Sequence, residues 1–170
     1  IISHFDLVAL QEINRDLRAF DKLMHILGRE WDYIVTDTTE GRGNNERMAF
    51  VYNTDKVFFR KIAGEVVLPD GQLVVTKEKV KADAGQPDIE PRTKEMEQQF
   101  ARSPFLVAFQ SGWFRFSLCT VHIYYGASSG KALNRRIREI ENLVEFFAER
   151  QDKASKQELD RSGAVENYIL

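Results

Sequence analysis

A short apolar run near the start of the chain constrains the fold more than any other feature. Residues 6–13 read DLVALQEI, and the run is unbroken from Leu7 to Leu10. An apolar run without polar alternation is typical of a β-strand that is buried on both faces. Such a strand would place Glu12 at its C-terminal end, where a carboxylate must be solvated, hydrogen-bonded or bound to a cation. Glu12 is therefore either a solvated acid at the end of a strand or part of a site.

The composition limits the classes of protein that the chain can represent. Its 170 residues suffice for one domain with a substantial core, and they are 43% hydrophobic and 29% charged, as in soluble globular proteins. No apolar run is long enough to span a membrane. The net charge of −2 means that any contact with nucleic acid must come from a local basic patch. The single cysteine, Cys119, excludes an internal disulfide, and its place in a predicted strand indicates a small buried side chain.

The first part of the chain predicts one helix and three strands. Apolar residues recur at helical spacing from Leu17 to Leu27, with Asn14 as a candidate N-cap and Gly28 as the stop. The predicted strands are Trp31–Asp37, Met48–Tyr52 and Val57–Phe59, and residues 38–45 form a loop. Because only a short polar turn separates the last two strands, we expect them to pair as a β-hairpin.

A long irregular stretch follows, from Gly64 to Arg102. Prolines and glycines interrupt it repeatedly, and lysines are interleaved in its centre. We expect an insertion over residues 64–102 with one weak strand at Leu73–Thr76 and a turn of helix at Lys94–Phe100. Loops of this length in a compact domain usually serve a function or are mobile.

The second half predicts a hairpin, a long helix and a final strand. The arms of the hairpin are Phe105–Gln110 and Phe114–Tyr124, and the last strand begins near Glu166. Residues 151–163 are highly charged and predict no regular structure. One apolar stripe marks the helix, formed by Leu133, Ile137, Ile140, Val144 and Phe147. The other side carries Arg135, Arg136, Arg138 and Glu139, which with Lys131 is either a solvated face or a contact surface for DNA phosphates.

Four polar residues are expected to meet at one rim of the fold. A turn centred between Ser111 and Gly112 would pair residues whose numbers sum to about 223, which places Arg102 beside His122. If the strand that follows Glu46 runs antiparallel to the strands that end near Glu12 and His122, all four residues reach the same edge. Strands and helices alternate with hairpins between them, so the sequence predicts a mixed α/β layered fold.

The four residues form a chemically coherent set. A carboxylate with open coordination, Glu12, can hold Mg²⁺ or Mn²⁺, and the fork of Arg102 matches phosphate oxygens. A histidine beside a carboxylate, His122 with Glu46, suits proton transfer or electrostatic stabilisation. Each residue also has a simpler interpretation, as a core histidine, a solvated arginine or a surface acid.

Four segments in this order resemble the endonuclease/exonuclease/phosphatase superfamily, which includes pancreatic deoxyribonuclease and abasic-site endonucleases. The segments are DLVALQEI, NNERMAFVY, FARSPFLVAF and CTVHIYYG, and the resemblance spans nearly the whole chain. It implies a four-layer α/β sandwich of two mostly antiparallel sheets flanked by helices. It further implies that Glu12 is the metal carboxylate, that Glu46 pairs with His122 in the catalytic chemistry, and that Arg102 contacts the substrate phosphate.

The resemblance also shows what is missing from the 170 residues. The family has a first strand that ends in a metal-site asparagine, a Gly-Asp-x-Asn motif and a late Asp-His pair, and none of them is present. We therefore expect residues 1–170 to be a single-domain fragment that is inactive by itself. At full length we expect a Mg²⁺- or Mn²⁺-dependent phosphodiesterase that acts as a nuclease on DNA. The alternatives are a phosphatase or phosphodiesterase for a lipid or sugar phosphate, and an inactive binding module on the same scaffold.

Overall fold

The computed structural model describes residues 1–38, 46–68, 74–79, 93–160 and 166–170. These residues form a mixed α+β fold of nine strands and two α-helices, with a 3₁₀ turn at Ile2–His4. In chain order the elements are β1 (Leu7–Ile13), α1 (Arg18–Leu27), β2 (Trp31–Val35), β3 (Arg47–Asn53), β4 (Phe58–Glu65), β5 (Val74–Lys79), β6 (Thr93–Gln98), β7 (Phe105–Ser111), β8 (Phe114–Thr120), α2 (Gly130–Asp160) and β9 (Glu166–Ile169).

Two sheets pack face to face through an aromatic core. The first sheet has the order β1-β3-β2, and the second has the order β4-β7-β8-β9, in which only the β8–β9 pair is parallel. From β3, the rings of Phe50 and Tyr52 contact Phe109 of β7 at centroid distances of 5.5 Å each. Large apolar side chains therefore fill the space between the two sheets.

The two helices cover the outer faces of the sheets. Alternate residues of β3 face outward, where the small side chains Ala49 and Val51 pack with Phe20 of α1. On the other side, Leu143 and Phe147 of α2 pack against the second sheet. The order of layers is helix, sheet, sheet, helix, which confirms the predicted four-layer sandwich of mostly antiparallel sheets.

The predicted hairpin between the third and fourth strands is wrong. The β3 strand lies in the first sheet, between β1 and β2, whereas β4 pairs antiparallel with β7 in the second sheet. The turn at residues 54–57 therefore carries the chain from one sheet to the other. Because β3 is central in its sheet and both of its faces are buried, the chain crosses to the second sheet after β3, and β3 and β4 do not pair.

Two further predictions of local structure are corrected. Thr93–Gln98 is a strand that pairs with Val74–Lys79, so no helical turn forms at Lys94–Phe100. The helix α2 continues to Asp160 through residues expected to be irregular, supported by the i,i+4 ion pairs Glu149–Lys153 and Asp152–Lys156. The predicted loop at residues 39–45, residues 69–73 and 80–92 of the predicted insertion, and residues 161–163 of the predicted irregular stretch lie outside the described part of the chain.

The ends of α1 agree only in part with the sequence. Gly28 has a φ of 99° and ends the helix, and its N–H donates to the carbonyl of Met24, as expected. The N-cap, however, is Leu17, and Asn14 instead accepts a hydrogen bond from the Asp16 N–H in the preceding turn. The strand β1 is also only half buried, because it lies at the edge of the described first sheet.

The apolar face of α2 is rotated from the predicted one. Ile137, Ile140 and Val144 are exposed, whereas Leu143 and Phe147 are buried together with Glu139. The buried carboxylate is tolerated because it accepts several hydrogen bonds. None of the helices in the described part of the chain combines the length and the apolar character needed to cross a membrane.

Candidate functional site

The four residues expected to meet lie together at one rim between the sheets. Nε2 of His122 is 3.6 Å from Oε1 of Glu12, and Nδ1 is 3.9 Å from Oε2 of Glu46. Nη2 of Arg102 donates to the same Oε2 of Glu46 at 2.8 Å. The structure thus brings together two acids, a guanidinium and an imidazole from four separate parts of the chain.

A bulge near the end of β1 positions Glu12. The register of the β1–β3 pair shifts between Leu10, which pairs with Ala49, and Ile13, which pairs with Arg47. Glu12 lies in this bulge with a φ of 58°, a left-handed conformation that costs a residue with a Cβ about 1–2 kcal/mol. Bulges commonly redirect a side chain beside a functional site. The Glu12 side chain is 68% exposed and faces solvent as well as His122.

The antiparallel pairing of β1 and β3 brings Glu46 to the same rim. Because Ile13 pairs with Arg47, the residue that precedes β3 lies at the end of β1. Arg102 comes from the bend that leads into β7, and its ion pair with Glu46 is partly shielded from solvent. This pair joins the start of β3 in the first sheet to the segment that leads into β7 in the second sheet.

His122 follows β8, and its register differs slightly from the expected one. The β7–β8 pairs, such as Phe105 with Thr120 and Ser111 with Phe114, have numbers that sum to 225 rather than 223. The turn is therefore centred between Gly112 and Trp113. The shift is an even number of residues, so it preserves which side chains share a face. Arg102 and His122 lie outside the two strands, and they are close together as expected, because both approach Oε2 of Glu46.

Gln11 links the two sheets beside the site, a role that the sequence did not reveal. Its Nε2 donates to Oγ1 of Thr120 at 3.3 Å and to the carbonyl of Val121. These bonds join the residue before Glu12 to the two residues before His122. The only sequence signal for this role is the position of Gln11 directly before Glu12.

Glu139 is the second residue whose role was missed, and the prediction that it lies on the polar face of the helix is wrong. It is fully buried. Its carboxylate accepts hydrogen bonds from the backbone N–H of Ala101 (3.2 Å), the backbone N–H of Tyr124 (3.0 Å) and Nε of Arg135 (3.3 Å). These tertiary contacts leave no trace in the helical pattern, so spacing alone could not find them.

Cys119 lies in the core behind the site and takes no part in it. Burial raises the pKa of its thiol to about 12. The thiolate is the reactive form of cysteine, so this thiol is inert at neutral pH. The sequence prediction of a small buried side chain agrees with this position.

The carboxylates at the rim are the candidate ligands for a divalent cation. Among the residues that the structure describes, no group of three or more His, Cys, Asp or Glu side chains could hold a metal ion. Glu12 alone offers an exposed carboxylate, since Glu46 is bonded to Arg102. Mg²⁺ is often bound through one or two carboxylates and retains several waters, so the donor chemistry of Glu12 fits a hydrated Mg²⁺ or Mn²⁺.

The side chains at this rim combine a proton-transfer group with a cationic hydrogen-bond donor. An imidazole between two acids can hold a proton near a reacting group, and the guanidinium has five N–H donors, of which Glu46 occupies one at Nη2. Together they suit the binding of an anionic, phosphate-bearing group. In comparisons with known proteins, no family model matches the chain and no curated protein matches it significantly, so the resemblance to the endonuclease/exonuclease/phosphatase superfamily stays a prediction from its four segments.

Proposed function

We propose that Glu12, Glu46, Arg102 and His122 belong to the active site of a divalent-metal-dependent phosphodiester hydrolase. In its natural length the protein would act as a nuclease on DNA. The observation that carries the proposal is the place of the His122 imidazole, 3.6 Å from one carboxylate and 3.9 Å from another. Phosphodiester hydrolysis requires neutralisation of charge on the phosphate, a proton for the leaving oxygen and an activated water. The four residues suit the first two requirements.

His122 is the group that would handle the proton. Its two ring nitrogens face different acids, Nε2 toward Glu12 and Nδ1 toward Glu46. The side chain is 17% exposed, which limits its orientation while leaving access from the rim. With Glu46 on Nδ1, the other nitrogen would assist the leaving oxygen, either as a proton donor or by electrostatic stabilisation.

Arg102 is the group that would hold the phosphate. Its guanidinium is fixed by the bond to Glu46, and a fixed guanidinium loses less entropy when it binds an anion. A planar fork can donate two parallel hydrogen bonds to phosphate oxygens. Arg102 would therefore orient the phosphodiester against His122.

Glu12 is the residue that would hold Mg²⁺ or Mn²⁺, with water molecules completing the shell. When bound, the ion would supply positive charge to a phosphate oxygen. The exposure of the Glu12 side chain leaves room for those waters.

Contact with a DNA substrate would involve exposed cations on α2. The chain as a whole is slightly acidic, so contact with DNA needs local cations. Lys131 and Arg138 are exposed on α2, which begins shortly after the His122 segment. Arg135, by contrast, is engaged with Glu139 and is not part of that surface. Arg136 is half-buried and donates to the carbonyl of Ala127.

A substrate panel tests the proposal. We expect the protein at its natural length to nick supercoiled plasmid in Mg²⁺ or Mn²⁺, to lose this activity in EDTA, and to act more slowly on inositol phosphates and sphingomyelin. Faster turnover of the inositol phosphates or the lipid would contradict the choice of DNA. A folded protein that binds DNA but hydrolyses none of the three would be an inactive binding module.

A further inference from the structure

Glu139 is buried beneath the candidate site and is hydrogen-bonded to both of the segments that carry its key side chains. Oε1 accepts from the Ala101 N–H, and Oε2 accepts from the Tyr124 N–H. Ala101 directly precedes Arg102, and Tyr124 is two residues beyond His122. One carboxylate therefore ties together the backbones next to the proposed phosphate-binding and proton-transfer groups.

Both segments lie outside the sheets, where a strand partner cannot hold them. The β7 strand begins at Phe105, after the Arg102 segment, and β8 ends at Thr120, before the His122 segment. Glu139 supplies hydrogen-bond acceptors to these two backbone amides. It does so from α2, whose neighbouring residues Leu143 and Phe147 anchor the helix in the core.

The surroundings of Glu139 fix the Tyr124 segment further. Arg135 donates to Oε1 of Glu139 and offsets its charge, while its guanidinium lies 4.2 Å above the ring of Tyr124. A Cβ atom at Gly126 would lie only 2.6 Å from Cε1 of that ring. The ring of Tyr124 is thus held between a cation and a position that admits only glycine without displacement.

We propose that Glu139 is a positioning residue that sets the separation between Arg102 and His122 without touching the substrate. This inference rests on the proposed hydrolase function. Glu139→Gln retains size but replaces one acceptor oxygen by a donor, which would face a backbone N–H. At least one of the two segments would then be released, and a displacement of about 1 Å can lower a rate by about a hundredfold.

The first measurement follows the site without any substrate. In the 170-residue chain, NMR signals of the Arg102 guanidinium should report its bond to Glu46 through slow rotation. We expect Glu139→Gln to broaden or shift these signals and those of the His122 ring, with Glu141→Gln, an exposed change on the same helix, as the matched control. Unchanged Arg102 and His122 signals in a folded Glu139→Gln chain would overturn the positioning role.

The second measurement uses plasmid nicking by the protein at its natural length. We expect Glu139→Gln to lower kcat by about tenfold to a hundredfold with little change in KM, and Glu141→Gln to leave both unchanged. Combined with Arg102→Ala, the loss should be smaller than the product of the two single losses, because each change disrupts the same geometry. A purely structural role would give equal fold-losses in both backgrounds.

The two measurements separate the two proposals. If the wild-type protein hydrolyses no phosphodiester, the proposed function is wrong whatever the NMR signals show. If the wild type is active and Glu139→Gln changes neither kcat nor the signals, only the positioning role is wrong. Should Glu139→Gln not fold, Gly126→Ala displaces Tyr124 with the carboxylate intact; it should lower kcat, and an unchanged kcat would contradict the proposal.

Discussion

Oε1 of Glu12 lies 3.6 Å from Nε2 of His122, although Glu12 belongs to the first sheet and His122 follows a strand of the second. Glu12 lies in a bulge of β1, and His122 follows the last residue of β8 by two positions. A cation held by this carboxylate would therefore lie close to the imidazole. The proximity makes the place of metal binding testable independently of any reaction.

Binding of Mn²⁺ should be visible at both residues. We expect low concentrations of Mn²⁺ to broaden the NMR signals of Glu12 and of the His122 ring, since a paramagnetic ion relaxes nuclei near it. The same titration of Glu12→Gln should leave the His122 signals sharp. Equal broadening of His122 in the variant, or broadening confined to another part of the chain, would contradict a metal site at Glu12.

Arg102→Lys tests the need for a guanidinium. Lysine retains the charge but cannot donate two parallel hydrogen bonds, so we expect nicking to fall by about tenfold or more while the free energy of unfolding falls by less than about 2 kcal/mol. Arg18→Lys, at an exposed ion pair with Asp16, serves as the control. A wild-type rate for Arg102→Lys would reduce Arg102 to a structural partner of Glu46.

Gln11→Leu tests the link between the sheets at the rim. The change removes the bonds to Thr120 and Val121, so the free energy of unfolding should fall by about 0.5–1.5 kcal/mol. Because these bonds flank Glu12 and His122, nicking should fall more than this loss of stability explains. Denaturant unfolding and nicking, measured on the same samples, check both. Activity unchanged in the folded variant would show that the link does not orient the site.

The raised pKa of Tyr52 should make the free energy of unfolding depend on pH above pH 10. Burial, followed by the negative charge of Asp32 and a hydrogen bond to it, raises the pKa of Tyr52 from 10.0 to about 12. The folded state thus holds this proton more tightly than the unfolded state, so its stabilising contribution is complete below pH 10 and is lost as the pH rises toward 12. Denaturant unfolding across this range should show a shallower decline for Tyr52→Phe. Parallel declines would contradict the raised pKa.

The sequence was informative where a short pattern determines where a strand ends or which face of a sheet its side chains occupy. The unbroken runs at Leu7–Leu10 and Met48–Tyr52 gave two neighbouring strands, and antiparallel pairing then placed Glu12 and Glu46 at one rim. The observed β7–β8 register differs from the expected one by two residues. Because side chains alternate with a period of two, the predicted faces of the two strands are unchanged.

Other features depended on contacts that no local pattern encodes. The turn at residues 54–57 is equally compatible with a hairpin and with a crossing between sheets, and burial of both faces of β3 decides for the crossing. Glu139 resembles a solvated helix residue until the amides of Ala101 and Tyr124 are placed beside it. Burial of an acid is favourable only with such partners, and these come from distant parts of the chain.

The most direct test of the proposed hydrolase is the Mg²⁺-dependent nicking of supercoiled plasmid by Glu12→Gln in the protein at its natural length, with Glu141→Gln as the control. Loss of the carboxylate should remove several kcal/mol of transition-state stabilisation, so we expect the rate to fall by about a hundredfold or more while the control stays at the wild-type rate. A Glu12→Gln protein that nicks plasmid at the wild-type rate would contradict the account.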